Sequence, residues 1–257
     1  MTCDDDFSAR RRDCQGRCQR AADLRLKNTY NVPVKGFPDG VDPETGDRLQ
    51  TLGEEIANSV SHGVGTLAAL AVLPVLIGSA LRRGAGGRAI VGAGVFGASV
   101  LFLYLGSTLY HALPQGRFKR AFRISEHMAI YFLIAGTYTP FMLGVLRGPL
   151  GTGMLWTIWL LTGLGVLFKI FGGTRFPRFS TILYLLMGWV VVVGIGPLWR
   201  LMPHAGFWLI VAGGLAYTVG VVFYLLDHRW PYGHFVWHLF VLGGTTCHFC
   251  AILWYAG

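Results

Sequence analysis

Seven long apolar stretches constrain the fold of this 257-residue chain more than any other feature. Each is about 20 residues long, the length that an α-helix needs to cross the hydrocarbon core of a bilayer. Charged residues make up 14% of the sequence, whereas soluble domains carry roughly 25%. The sequence therefore predicts an all-α integral membrane protein with seven transmembrane helices, at residues 57–81, 89–110, 124–146, 152–171, 181–199, 207–226 and 235–255.

The first 53 residues differ sharply from the rest of the chain. Of the 13 acidic residues in the sequence, 11 lie before residue 56. The same segment contains several prolines and glycines, has no sustained helical period, and lacks the continuous apolar core of a signal peptide. We therefore predict a polar, disordered cytoplasmic tail at residues 1–53 and a single seven-helix transmembrane domain at residues 54–257.

The distribution of lysine and arginine predicts the orientation. With the N-terminus inside, 17 of the 22 basic residues fall in the tail and loops on the cytoplasmic side, and 5 fall outside. Because basic residues accumulate in cytoplasmic loops, the N-terminus is predicted to be cytoplasmic and the C-terminus outside, in the plasma (inner) membrane. Orientation also accounts for the net charge of +9, so we expect membrane lipids rather than nucleic acid as partners. The sequence does not decide whether the protein forms a homo-oligomer.

Ionisable and polar residues gather at the cytoplasmic ends of four predicted helices. Such residues are costly in a bilayer and commonly mark a functional site. They are His111 in the second span, Glu126 in the third, His234 and His238 in the last, and Glu54, Glu55, Asn58, Ser61 and His62 in the first. Their shared depth predicts that they meet in one site.

Histidine spacing indicates a metal ion in that site. His234 and His238 are four residues apart and therefore lie on one helical face, and Ser107 and His111 have the same spacing. Three imidazoles with a fourth position left for water are typical of catalytic zinc. The sequence thus predicts Zn²⁺ held by His111, His234 and His238. His248 lies about 15 Å deeper than His238 and is expected to be a buried hydrogen-bonding residue outside the site.

Other polar residues suggest supporting roles. Glu126 is the expected general base, because a carboxylate beside the metal can take a proton from water. Ser107 is expected to donate a hydrogen bond to a developing oxyanion. Glu55, Asn58 and His62 are expected either to hold the metal ligands in place or to join helices, and the sequence does not separate these two roles.

Four motifs together resemble the hemolysin III family: EEIANSVSHGVG (54–65), STLYHA (107–112), IAGTYTPF (134–141) and HFVWHLFVLGGTTCH (234–248). These proteins are bacterial relatives of the progestin and adipoQ receptors and, more distantly, of the alkaline ceramidases. The resemblance covers about residues 50–257. It implies a seven-helix membrane fold with zinc near the cytoplasmic side, and the family's three histidines match His111, His234 and His238.

The family usually carries aspartate where this chain has Glu126. The extra methylene moves the carboxylate by roughly 1.5 Å, about one bond length, which can convert a contact with a zinc-bound water into direct ligation of zinc. The resemblance therefore supports the metal and leaves the catalytic geometry open at this position.

These patterns lead to one leading hypothesis and several alternatives. The leading one is a zinc-dependent hydrolase of lipid amide or ester bonds that acts in membrane-lipid homeostasis. In the main alternative, a receptor-like sensor without enzymatic activity, a structural zinc would be closed by four protein ligands. A channel or transporter is less favoured, because the sequence shows no inverted repeat. The family name implies cytolysis, but the sequence contains neither a secretion signal nor an amphipathic insertion segment.

Overall fold

The computed structural model describes residues 48–173 and 176–256, and its secondary-structure elements are helices joined by short turns. The predicted disordered tail lies outside the described residues except for 48–53. The α-helices of the described part are α1 (Leu52–Arg82), α2 (Gly87–Ala112), α3 (Arg117–Gly144), α4 (Pro149–Gly172), α5 (Pro177–Trp189), α6 (Ile195–Leu201), α7 (His204–Leu226) and α8 (Gly233–Tyr255), with a 3₁₀ helix (Val190–Gly194) between α5 and α6.

Six helical segments in the described ranges are long and apolar enough to cross a membrane. They are Leu52–Arg82, Gly87–Ala112, Pro149–Gly172, Arg178–Leu201, His204–Leu226 and Gly233–Tyr255. These segments contain six of the seven predicted spans, so the all-helical, multi-pass membrane architecture is confirmed. Helix α3, which contains the predicted third span, has 28 residues but is not among the six. The count of seven therefore stays a prediction.

Helix α3 is more polar than its neighbours because it lies inside the bundle. Its first turns are basic, and Glu126 is buried further along it. Ala129, Tyr131 and Ala135 are completely buried. By contrast, α4 exposes Trp156 on its outer surface, as expected of a helix that faces lipid. A helix that faces other helices on most sides does not need an apolar surface for lipid.

Helix α1 begins at a capping box, five residues before the start of the predicted span. The Thr51 side chain accepts from the Glu54 backbone N–H, and the Glu54 carboxylate accepts from the Thr51 backbone N–H. Arg48 also donates two hydrogen bonds to this carboxylate, at 2.6 and 2.8 Å. The backbone N–H of Tyr232 donates to it at 2.9 Å. Glu54 therefore joins the start of α1 to the turn that precedes α8.

The predicted fifth span is not one continuous α-helix. Helix α5 ends at Trp189, and the 3₁₀ segment separates it from α6. The Tyr138 hydroxyl of α3 accepts from the Val191 backbone N–H at 2.7 Å and lies 2.7 Å from the Gly188 carbonyl oxygen, to which it donates. Backbone groups at a helix break need other partners inside a membrane, and Tyr138 provides them.

Candidate metal centre

Four side chains from three helices converge within the bundle. His111 lies on α2, Glu126 on α3, and His234 and His238 on α8. Each offers one ligand atom, and these atoms all lie within 4.8 Å of one another. We call these four residues the metal cluster. Its dimensions are those of a group that could hold one metal ion.

The Nδ1 atom of each histidine in the cluster is bound by a group outside it. The pairs are His111 with Glu55 at 2.7 Å, His234 with Asp227 at 3.1 Å, and His238 with Ser61 at 3.0 Å. This leaves Nε2 of each ring for another partner. Metal-binding histidines characteristically have one ring nitrogen fixed by an outer group in this way.

The remaining ring nitrogens fit a bound cation. Nε2 of His111 and Nε2 of His234 are buried and have no hydrogen-bond partner among the described residues. A buried polar atom without a partner is costly, and coordination of a metal would remove that cost. Imidazole nitrogens together with a carboxylate oxygen are donors that suit zinc and several other divalent transition metals.

The charges around the cluster also suit a divalent cation. Glu55 forms an ion pair with the buried Lys119, whose Nζ lies 2.8 Å from Oε1. Since this pair is neutral overall, the buried Glu126 remains as a negative charge within the cluster, and the partly exposed Asp227 is a second one beside it. Buried charge is stable only when it is compensated, so a dication matches this arrangement.

Ser107 is fully buried and bonds to a member of the metal cluster. Its hydroxyl donates to Oε1 of Glu126 at 2.5 Å. The same carboxylate oxygen lies 3.6 Å from Nε2 of His111. The hydroxyl hydrogen that we predicted for an oxyanion is therefore used by Glu126 in this structure, and the direct effect of Ser107 is to fix that carboxylate.

Asn58 and His62 contact the surroundings of the cluster in different ways. Asn58 donates to Gln50 at 2.6 Å, and its backbone carbonyl accepts from the Ser61 hydroxyl at 2.8 Å. The backbone carbonyl at position 58 thus orients the serine that binds His238, whereas the Asn58 side chain binds Gln50. The His62 ring stacks on the His238 ring, with centroids 3.5 Å apart and planes 7° apart, and neither of its nitrogens has a partner among the described residues.

Sequence reasoning missed two residues that support the cluster. In the sequence Lys119 is one of the 17 basic residues on the predicted cytoplasmic side, yet its ammonium group binds Glu55 and the carbonyl oxygens of Tyr110 and Leu113, at 3.0 and 3.1 Å. Asp227 precedes α8 and binds His234. Its signal was available, because Glu126 and Asp227 are the only acidic residues after position 56.

An apolar cavity of about 250 Å³ adjoins the metal cluster. Glu126, His234 and His238 line one end, and Leu198 and Phe207 line another part of the wall. Helices α3, α5, α6, α7 and α8 all contribute to this wall. The cluster is therefore accessible from an apolar chamber inside the bundle.

His248 also lines this cavity but does not belong to the metal cluster. Its Nε2 lies 3.2 Å from the Ile210 carbonyl oxygen of α7. The ring is buried, as the sequence predicted.

Comparisons with known proteins identify the family. The model of the family described as "Haemolysin-III related" matches residues 50–249. Hemolysin-3 of Bacillus cereus is 45% identical over 206 residues, which cover 80% of this chain and 93% of that protein. The Hemolysin-3 homolog of Bacillus subtilis (strain 168) is 44% identical over 205 residues, covering 80% and 95%. The human monocyte to macrophage differentiation factor is 28% identical over 236 residues, covering 89% and 94%. The chain therefore belongs to the hemolysin III family.

Proposed function

We propose that this protein is a zinc-dependent hydrolase that cleaves an amide or ester bond of a membrane lipid. The observation that carries the proposal is the contact between the metal cluster and the apolar cavity, since Glu126, His234 and His238 belong to both. A lipid chain would occupy the cavity while its amide or ester group lies at the cluster. Such a reaction would change membrane-lipid composition, which suits a role in lipid homeostasis.

The side chains divide the chemical work. His111, His234 and His238 would hold Zn²⁺, which when bound supplies a Lewis acid that polarises a carbonyl and makes water more acidic. Glu126 would accept a proton from the attacking water and transfer it to the leaving group. Ser107 would keep the Glu126 carboxylate in position through the hydrogen bond already formed.

We propose a cytoplasmic N-terminus, an external C-terminus and seven spans, with α3 as the third. The support is the excess of basic residues on the side where the cluster lies. The cluster would then face the cytoplasmic leaflet of the inner membrane, whose lipids are the proposed partners. Homo-oligomers are compatible with this arrangement, and nucleic acid is not an expected partner. Labelling of single cysteines placed in successive loops of intact cells would test the orientation.

A receptor-like sensor with structural zinc is the second candidate. It is favoured by the position of Glu126, because its carboxylate oxygen lies within 4.8 Å of the ligand nitrogens of all three histidines. Four protein ligands close a zinc site, whereas a catalytic site keeps a position for water. X-ray absorption at the zinc edge would distinguish them, because three nitrogens and one carboxylate without water would support the sensor.

Cytolysis is a third candidate and rests on the names of the Bacillus relatives, one called Hemolysin-3 and the other Hemolysin-3 homolog. Release of a trapped dye from liposomes after addition of the purified protein would support it.

Metal analysis of the detergent-purified protein is the first test. We expect about one Zn²⁺ per chain in the wild type and a loss of most of it in His238→Ala, because three histidines are needed to hold the ion. His228→Ala is the matched control, since His228 is exposed in the turn before α8. Wild-type protein purified without chelator that contains no stoichiometric metal would contradict the proposal.

Turnover is the second test. The zinc-loaded protein is incubated with a panel of ceramides, acylated amines and phospholipids, and released fatty acid is measured by mass spectrometry. Glu126→Gln should reduce the rate by roughly 10²-fold or more, the usual contribution of a general base. Zinc-loaded protein that releases no product from any lipid would favour the sensor.

A further inference from the structure

His248 is a polar residue that lines the cavity far from the metal cluster. It lies ten residues after His238 on α8, which corresponds to about 15 Å along the helix. Its side chain is 5% exposed and lines the cavity wall. The cavity therefore combines the metal cluster near one end with a single imidazole about 15 Å away.

The hydrogen bond of His248 determines where its ring proton lies. Nε2 contacts the Ile210 carbonyl oxygen at 3.2 Å, and a carbonyl can only accept. Nε2 must therefore carry hydrogen. No carboxylate among the described residues pairs with this ring, and a charged ring at this depth would be costly, so the ring is neutral and Nδ1 is an acceptor.

Nδ1 of His248 is buried and has no hydrogen-bond partner in the described part of the chain. Three hydroxyl groups that line the same cavity already donate to backbone carbonyls: Thr137 to Leu133, Tyr138 to Gly188, and Thr218 to Gly214. A buried acceptor without a donor is costly. The missing donor is therefore expected to come from the occupant of the cavity.

Helix α7 is shaped to hold this ring. An added Cβ at Gly213 would lie 2.5 Å from Nε2 of His248, so no larger residue fits there without moving the imidazole. The Tyr217 ring of the same helix also contacts it, with its centroid 5.4 Å from that of His248. The position of the ring is thus set by close packing against α7.

We propose that His248 accepts a hydrogen bond from a hydroxyl group carried on the lipid chain that occupies the cavity. The preferred ligand is a lipid hydroxylated about 15 Å from the group that reaches the metal cluster. This inference rests on the part of the proposed function that assigns a lipid chain to the cavity, and it does not require turnover. It narrows the ligand class from lipids in general to chain-hydroxylated lipids.

Equilibrium binding to the detergent-purified, metal-loaded protein tests this inference. The ligands are a long saturated fatty acid and its monohydroxy derivatives, in which the hydroxyl occupies successive positions along the chain. We expect one narrow range of positions to bind about 5-fold more tightly than the unsubstituted acid, the effect of one neutral hydrogen bond. His248→Phe should abolish this preference while retaining the affinity for the unsubstituted acid.

Gly213→Ala is a second variant, which keeps the imidazole but displaces it. In this variant the binding preference should weaken, or the preferred position of the hydroxyl along the chain should shift. Equal affinity of the wild type for all members would overturn the role of His248, leaving water as the partner of Nδ1 and the hydrolase proposal intact. A preference that persists unchanged in both variants would also overturn it. Binding preference without turnover would instead contradict only the hydrolase.

Discussion

At the scale of single residues, two adjacent glutamates at the start of α1 bind different parts of the molecule. Glu54 and Glu55 are similarly buried, at 3% and 4% exposure. Glu54 binds Arg48, Thr51 and the Tyr232 backbone N–H. Glu55 binds His111 and Lys119. Glu55 therefore holds a candidate metal ligand in place, whereas Glu54 holds the ends of two helices together.

The pair allows a matched test of ligand orientation. Glu55→Gln should weaken metal binding by roughly 10- to 100-fold, because the carboxylate that orients His111 becomes a neutral amide. Glu54→Gln should change metal affinity by less than about 3-fold, since Glu54 contacts no ligand side chain, while still lowering stability. Competition with a chromophoric chelator measures both affinities. Equal losses in the two variants would contradict the orienting role of Glu55.

The candidate metal ligands could be predicted from the sequence more readily than the residues that hold them in place. The i, i+4 pair on α8 and the shared membrane depth are visible in the sequence, so His111, Glu126, His234 and His238 could be grouped. Lys119 was not predictable, because its long side chain reaches back to Glu55 from the loop end of α3. Contacts between residues distant in the chain depend on how the helices pack, which residue spacing does not determine.

At the scale of helices, the break in the fifth span depends on one hydroxyl group. Tyr138→Phe removes the acceptor of the Val191 N–H and the donor to Gly188 while keeping the ring. We expect a loss of about 1–3 kcal/mol in the free energy of unfolding, the usual effect of leaving buried polar groups without partners.

Thr137→Val is the control for this variant, because Thr137 donates only to Leu133 of its own helix. It should change stability by less than about 0.5 kcal/mol, as is usual for substitutions that leave no buried group unpaired. Reversible unfolding in mixed micelles measures both changes. An equal effect of the two substitutions would show that the Tyr138 hydroxyl is not specifically required.

Two glycines of α4 allow a test of the close packing between α4 and α3. A Cβ at Gly165 would overlap the Tyr131 ring, whereas a Cβ at Gly163 would meet nothing within 4 Å. Gly165→Ala should destabilise the protein by about 1–3 kcal/mol, the usual cost of overpacking. Gly163→Ala should be neutral or stabilising by up to about 1 kcal/mol. Thermal unfolding in detergent compares them, and similar midpoints would contradict close α3–α4 packing.

The helices could be predicted from length and hydropathy, but their ends and interruptions could not. Helix α3 begins at Arg117, seven residues before the predicted span, because basic first turns can extend beyond the apolar region. The 3₁₀ segment consists of VVVVG, which is as apolar as a regular span. Its partner is Tyr138 on another helix, so the sequence around the break does not reveal it.

At the scale of the whole molecule, the metal cluster joins α2, α3 and α8. Removing the ion should leave excess negative charge and unpaired imidazole nitrogens where three helices meet. We therefore expect chelation to lower the thermal midpoint of the wild type, by an amount that increases with metal affinity. The midpoint of His238→Ala should not respond to chelator. A wild-type midpoint unchanged after verified metal removal would contradict a metal that holds the helices together.

The cluster also implies an order in biosynthesis. His111 and Glu126 are synthesised early, but His234 and His238 lie on α8, which follows all the other described helices in the chain. The Glu54 contact with Tyr232 is likewise impossible before that helix arrives. A chain truncated before α8 would place a carboxylate and an imidazole in the bilayer without their partners, so the complete set of ligands exists only after α8 has joined α2 and α3.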